Sequence, residues 1–384
     1  MTISNRRIIR SPRLGTIASI ALLATSLNAC GGNKTETGTE TTGTGTTGGN
    51  QPAMQVPLES NVSLTGAGAS FPAPLYQNWF VQLNQEVPKL QVNYQSVGSG
   101  AGVEQFTQGT VDFGASDVAM KNEEIKKVKD GVLMLPMTAG SIVLAYNLPG
   151  VTDLKLPRDV YVGIFDGSIA KWNDPKIAAA NPGVKLPDQP ITVVHRADGS
   201  GTTGVFTKHL SAVSPEWKKS IGEGKTVQWP TKGKFLGGKG NEGVTAAIGQ
   251  NPGAIGYVEY GYAKNNNIAM AALENKAGKF VVPDDATAAA TLESVELPAD
   301  LRAFITDPDG DNAYPIVTYT WMLVHPKYAD KNKAIGVEAM IEYGLNQGQQ
   351  QAAALGYVPL PLTVRQKVAD VADDISPDYQ IKVQ

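Results

Sequence analysis

The chain has 384 residues, with 33 Lys and Arg against 36 Asp and Glu, a formal net charge of −3 and an apolar fraction of 42%. A net negative chain has no general attraction for nucleic acid or an anionic membrane surface, so any affinity for an anion must come from local, buried donors. A single cysteine rules out an intramolecular disulfide, and three dispersed histidines make no convincing metal site.

The first 29 residues read as a leader rather than as part of the fold. Arg6, Arg7, Arg10 and Arg13 form a positive start, and the apolar run from Ile17 to Leu27 is too short to span a membrane. The run ends in Leu27-Asn28-Ala29-Cys30, which resembles the lipobox of bacterial lipoproteins, where cleavage leaves a lipid-bearing cysteine at the new N-terminus. With four Arg and no acid removed, the chain from Cys30 onward carries −7. Residues 30–60 are Gly/Thr-rich and cannot bury enough surface to fold. They read as a flexible tether with a reach of about 30 Å. The remainder, roughly 320 residues, is large for one core and natural for two domains.

Strands and helices alternate from there on, which argues for α/β layers. Phe71 to Leu83 reads as a helix started by Pro72 and Pro74. Gln91 to Val97 reads as a strand, Ala101 to Gln108 as a helix, and Val111 to Asp117 as a strand ending at a carboxylate. Asn122 to Asp130 reads as a charged helix, and two apolar runs follow, Gly131 to Met137 and Gly140 to Tyr146. Helices are expected over Pro157 to Phe165 and Lys176 to Ala180. Ile191 to Arg196 is a β-branched buried strand, followed by a helix over Thr203 to Ala212. Glu242 to Gly249 reads as helix and Gly253 to Tyr262 as strand, while Val282 to Leu292 has no clear pattern. Tyr314 to His325 is a long apolar strand, and helices over Asn332 to Gln347 and Leu362 to Ala372 close the chain. The two long apolar strands at 140–146 and 314–325 suit a crossing between lobes. That gives an expected lobe I of 61–142 plus 322–384 and a lobe II of 143–321.

Several motif spellings lead nowhere. Gly199-Ser200-Gly201-Thr202-Thr203-Gly204 spells the dinucleotide fingerprint, but the second strand with its acid about twenty residues on is replaced by the helix-like Pro215-Glu216-Trp217-Lys218-Lys219. Gly233 to Gly240 nearly spells a P-loop, lacks the final Ser or Thr, and reads as a glycine-rich surface loop with no strand feeding it. Gly114-Ala115-Ser116-Asp117-Val118 lacks the last Gly of a nucleophile elbow. A hydrolase would also need a base from His195, His209 or His325, which read better as core or edge residues.

A different constellation is coherent. Gly68-Ala69-Ser70-Phe71, Gly98-Ser99-Gly100-Ala101-Gly102 and Asp198-Gly199-Ser200-Gly201-Thr202 each run into a helix-like stretch. A helix N-terminus offers unpartnered N–H groups and a positive dipole end, Gly admits an anion to the backbone, and Ser or Thr adds a hydroxyl. Arg196 ends an apolar strand two residues before Asp198, which suits a guanidinium fork fixed for an oxyanion. Asp117 repels a bare anion but accepts a hydrogen bond from a protonated one, favouring phosphate over sulfate. Spacing alone also allows a structural Arg196–Asp198 ion pair and an N-capping Asp117.

At these residues the chain resembles the high-affinity phosphate-binding proteins of bacterial phosphate ABC importers. The resemblance is carried by Leu64 to Pro74, Val111 to Asp117, Arg196 to Thr202, Leu236 to Asn241 and Pro252 to Tyr260, and it runs from about residue 62 to near the C-terminus. It implies a two-lobed periplasmic-binding-protein fold, two mixed α/β sheets flanked by helices with hinge strands between the lobes, closing on one dehydrated phosphate. It implies that Ser70 and Phe71 donate from the first helix, Ser99 from the second, that Asp117 accepts the phosphate's proton, that Arg196 is the charged donor oriented by Asp198, and that Ser200, Gly201 and Thr202 complete the ring. Relatives often carry Thr at the Ser70 position, so the hydroxyl is kept. In the second segment, where relatives more often have Ser-Ser-Gly-Gly, Ser99 is left as the hydroxyl donor. The expected protein is a lipid-anchored monomer outside the cytoplasm, needing no cofactor or metal and catalysing nothing, with inorganic phosphate and ABC permease subunits as partners and no nucleic acid. The rivals are a carrier of another oxyanion, a phosphatase-like enzyme, and a phosphate sensor on the same fold.

Overall fold

The computed structural model describes residues 54–293 and 295–384. The leader, Cys30 and the tether up to residue 53 lie outside the described residues. Residues 54–60, read from composition as the tether's end, are attached to the fold: Leu58 is buried, and Glu59 N–H donates to Asn332 Oδ1 at 3.0 Å.

In chain order the elements begin with β1 (Val62–Gly68), α1 (Ala73–Glu86), β2 (Leu90–Ser96), α2 (Ser99–Thr107), β3 (Phe113–Ser116), α3 (Asn122–Ile125) and β4 (Leu133–Asn147). The middle holds β5 (Lys155–Leu156), α4 (Arg158–Phe165), α5 (Pro175–Ala180), β6 (Thr192–Arg196), α6 (Gly201–Val213), α7 (Pro215–Ser220), β7 (Lys234–Gly238), α8 (Gly240–Gln250), β8 (Ala254–Glu259) and α9 (Tyr260–Asn265). The last third holds β9 (Ala269–Met270), β10 (Ala272–Glu274), β11 (Phe280–Val281), α10 (Asp285–Leu292), β12 (Val317–Val324), α11 (Lys331–Leu345), α12 (Gln347–Ala352) and α13 (Leu362–Ala372).

The main strands run in the order β2-β1-β3-β12-β4-β8-β6-β7, with β9 also on β4. β1 is parallel to β2 and β3, and β12 is antiparallel to both β3 and β4. Beyond β4, β8 is antiparallel to it, while β6 is parallel to β7 and β8. β4 thus serves two mixed sheets: its residues up to Ser141 pair with β12, and Ile142 to Asn147 pair with β8. Its burial is nearly unbroken, as expected of a strand covered on both faces.

The β12–β4 register shifts between Thr320 and Trp321, with Thr320 opposite Thr138 and Trp321 opposite Pro136. A bulge is one of the few places a sheet accepts proline, which has no N–H for the ladder. It also explains why 131–137 and 140–146 look like two runs when they form one strand.

Two other readings need correction. Gly233 to Gly240 is not a loop, because Lys234–Gly238 forms β7 and pairs with β6. An edge strand needs little apolar surface, so composition hides it. The strand predicted through Tyr262 stops at Glu259, whose carboxylate accepts from Gly261 N–H at 2.8 Å and Tyr262 N–H at 3.3 Å and so starts α9. The charged helix at 122–130 shortens to Asn122–Ile125, and the unpatterned 282–292 stretch contains α10, started by an Asp284–Thr287 capping box.

Packing fixes where the helices begin. α1 starts at Ala73 behind Pro72 and buries Leu75, Tyr76, Trp79, Phe80 and Leu83 on one face. Gly102 of α2 lies so close to Gly68 that a Cβ there would overlap its Cα, which seats α2 on the end of β1. The loops leaving β1, β2, β6 and β7 therefore release helices towards one region.

Candidate functional site

Four helix starts meet in that region. Gly100 N–H, in the first turn of α2, donates to Gly199 O at 2.8 Å, which joins α2 to the approach of α6. Asn241 N–H, in the first turn of α8, donates to Ser70 Oγ at 2.9 Å, just before α1. Gly240 N–H donates to Asp198 Oδ1 at 3.1 Å. Gly98 holds φ of 90°, a conformation L side chains rarely adopt, and a Cβ there would collide with the Asp198 carboxylate. The first-turn N–H groups of such helices have no intrahelical partner, so their convergence concentrates positive potential without a net charge.

The predicted residues come together, and most are buried. Ser70, Ser99, Asp117, Arg196, Ser200, Gly201 and Thr202 are all buried, and Asp198 borders them, half-buried. Phe71 is fully buried; its carbonyl accepts from Tyr357 Oη at 2.6 Å and its ring lies against Gly140 of β4. Gly201 has no room for a side chain, because a Cβ would meet Ser99 Oγ and the Asp117 backbone.

The hydroxyls share one polarity. Ser70 Oγ accepts from Asn241 N–H, Ser99 Oγ accepts from Asp117 N–H at 3.3 Å, and Ser200 Oγ accepts from Thr203 N–H at 3.0 Å as the cap of α6. A serine hydroxyl has one proton and two lone pairs. An amide N–H occupying a lone pair biases each of the three to donate its proton outward.

The charged groups are set by burial and by each other. Arg196 donates Nε to Asp198 Oδ1 at 2.8 Å and Nη2 to Asp198 Oδ2 at 2.6 Å, a bidentate pair. Burial opposes the guanidinium charge, but the Asp198 bonds and charge outweigh it and hold its pKa above the ordinary arginine value. Burial likewise pushes the Asp198 carboxyl up, and the Arg196 bonds more than reverse that, leaving it below the usual range. The Arg196–Asp198 ion pair is therefore present. The remaining Arg196 Nη1 donates to Thr202 Oγ1 at 3.4 Å.

Asp117 is the opposite case. Burial pushes its carboxyl up to about 7, and hydrogen bonds from Thr320 and Thr202 and the charge of Arg196 offset only part of that. Thr320 Oγ1 donates to Oδ1 at 3.0 Å and Thr202 Oγ1 to Oδ2 at 3.3 Å, while Thr318 Oγ1 donates to the Asp117 carbonyl at 3.2 Å. The first two bonds hold the carboxyl in place and the third holds its backbone.

Sequence reasoning missed Asn241, Thr318 and Thr320. The threonines were inside a strand read as apolar, where period-2 alternation puts 318 and 320 on one face. Asn241 ends the Leu236 to Asn241 segment, whose glycine-rich composition reads as loop. The three histidines lie elsewhere in the packing: His195 stacks on Trp229, His209 bonds Tyr161 Oη at 2.9 Å, and His325 stacks on Phe106. Among the described residues no His, Cys, Asp and Glu group could hold a metal ion.

A family model described as the PBP superfamily domain matches residues 35–347. The phosphate-binding protein PstS of Pasteurella multocida is 45% identical over 311 residues, covering 80% of this chain and 88% of that one. The chain belongs to the PstS family of the PBP superfamily. PstS of Haemophilus influenzae is 41% identical over 334 residues, covering 86% of this chain and 96% of its own. Among solved structures, a phosphate-binding protein from Stenotrophomonas maltophilia superimposes with a TM-score of 0.66 at 21% identity, covering 80% of this chain and 93% of that one. That likeness carries the two-lobed PstS-family fold, with two mixed sheets flanked by helices.

Proposed function

We propose that the protein captures inorganic phosphate between its two lobes and delivers it to an ABC permease, without covalent chemistry. One observation carries the reading. Three serine hydroxyls whose lone pairs accept from amides, the helix starts joined through Gly100–Gly199 and Asn241–Ser70, and the bidentately held Arg196 lie in one buried cluster with the carboxyl of Asp117. Ser70, Ser99 and Ser200 then donate hydroxyls and Phe71, Gly201 and Thr202 backbone N–H groups to phosphate oxygens, Arg196 supplies charge under the orientation of Asp198, and Asp117 accepts the hydrogen that phosphate retains. The names of the PstS relatives, phosphate-binding proteins, support the ligand.

β4 and β12 are the hinge strands in this reading, with lobe I formed by 61–142 plus 322–384 and lobe II by 143–321. The division of β4 between β12 and β8 supports it. Phosphate, touching both lobes, shifts the population towards closure. The leader is removed and lipid on Cys30 anchors a monomer to the outer side of a bacterial membrane, periplasmic or at the cell surface; the Leu27 to Cys30 sequence supports this. Analysing the mass of the small molecule carried through native purification tests the ligand: inorganic phosphate is expected, and an organic or sulfur-containing anion contradicts the proposal.

A further inference from the structure

We infer that Asn241, a residue the phosphate shell above does not include, acts as a positioning residue that fixes which way the hydroxyls of Ser70 and Thr202 point; the inference rests on the phosphate reading. Glu259 N–H donates to Asn241 Oδ1 at 2.9 Å. An amide oxygen pinned by an N–H fixes the orientation of the whole carboxamide, so the NH2 group must face the other way. It does so towards two hydroxyls, Ser70 Oγ at 2.9 Å and Thr202 Oγ1 at 3.3 Å.

The consequence follows from counting protons. Ser70 Oγ receives two donors from one residue, the Asn241 backbone N–H and its Nδ2. Both lone pairs are then used, and the serine proton is the only thing left to offer. Thr202 Oγ1 likewise receives Asn241 Nδ2 and Arg196 Nη1, so its proton goes to Asp117 Oδ2. Asn241 thereby makes Ser70 an obligate donor to an anion and keeps Thr202 donating to Asp117. It is fully buried, with its Oδ1, Nδ2 and backbone N–H all engaged.

Asn241→Asp reverses the polarity with almost no change of shape. The oxygen facing Glu259 N–H is kept, but the group facing Ser70 and Thr202 becomes an acceptor that draws the Ser70 proton away from the ligand and the Thr202 proton away from Asp117. Asn241→Ala removes the side chain and leaves the backbone bond to Ser70. Calorimetric titration with inorganic phosphate, run on the unaltered protein and both variants from about pH 5 to about pH 8, separates the possibilities. The expected result is a roughly 10-fold loss for Asn241→Ala and a 100-fold or greater loss for Asn241→Asp at the upper end. The second loss recedes at the lower end, where the new carboxyl protonates and donates again. Equal losses in both variants at every pH, or phosphate binding by Asn241→Asp as tight as in the unaltered protein, overturns the role. Failure of the unaltered protein to bind phosphate removes the proposed function and this role with it. Thermal melts of the ligand-free proteins, which a purely structural role would move, serve as the control.

Discussion

The guanidinium of Arg196 grips the carboxylate of Asp198 through two bonds, 2.8 and 2.6 Å long, with the arginine side chain only 1% exposed. A buried charge left without its partner is strongly destabilising, by about 3–5 kcal/mol. Asp198 stands at the border of the site, so the loss sits towards the lower end of that range. Asp198→Ala is therefore expected to unfold at lower denaturant, and saturating phosphate is expected to restore part of the loss by supplying a new anion to Arg196. Denaturant melts with and without phosphate check this, and equal destabilisation in both conditions contradicts it.

Asp117 gives the ligand-free protein a definite pH response. Its folded-state pKa of about 7 stands above the ordinary carboxylate value because burial disfavours the charged form. A raised carboxyl stabilises the fold at low pH, and that stability is lost as pH rises from about 4 to about 7. Glu338, pushed up to about 8 by burial, responds in the same sense. Only the difference between the unaltered protein and Asp117→Asn therefore isolates Asp117. Between about pH 4 and about pH 8 the stability difference is expected to move in favour of Asp117→Asn by up to roughly 4 kcal/mol, on top of a pH-independent cost for the amide NH2 that must face the Thr202 or Thr320 hydroxyl. Parallel stability curves contradict the assignment.

Gly201 has no space for a methyl group between Ser99 Oγ and the Asp117 backbone. Gly201→Ala is expected to keep α6, since alanine is a better helix former than glycine, while pushing the two approaches apart. Calorimetry should give phosphate binding weakened by about 100-fold or more, with a far-ultraviolet dichroism spectrum unchanged. Retained affinity contradicts the close apposition.

Cys30→Ser tests the anchor. Expressed in a bacterial host, the unaltered protein is expected in the membrane fraction and the variant in the soluble fraction, with equal phosphate binding. A variant that stays on the membrane contradicts lipid attachment at Cys30.

The legible part of the fold was the part where pattern and burial agree. Leu362 to Ala372 is a helix with the ends its sequence suggests, and Ile191 to Arg196 is a strand within a residue. β1 goes unassigned, because Gly66-Ala67-Gly68 is small rather than β-branched and is held by partners on both sides. β7 was hidden for the related reason that edge pairing with β6 outweighs a glycine-rich composition. The anion constellation is legible because three of the four helix starts, those of α1, α2 and α6, announce themselves with Gly and Ser. Asn241, Thr318 and Thr320 were not, since their importance comes from what the topology sets opposite them. An amide that fixes a distant hydroxyl leaves no local signature.

The most direct measurement is a calorimetric comparison of inorganic phosphate with sulfate on the purified, unaltered protein at about pH 8, above the Asp117 pKa of about 7. The account rests on a carboxyl at Asp117 that needs a ligand hydrogen, surrounded by hydroxyls turned to donate. It predicts tight phosphate binding and sulfate at least about 100-fold weaker, because sulfate leaves Asp117 facing an oxygen with nothing between them. Sulfate binding within about tenfold of phosphate, or no phosphate binding at all, contradicts it.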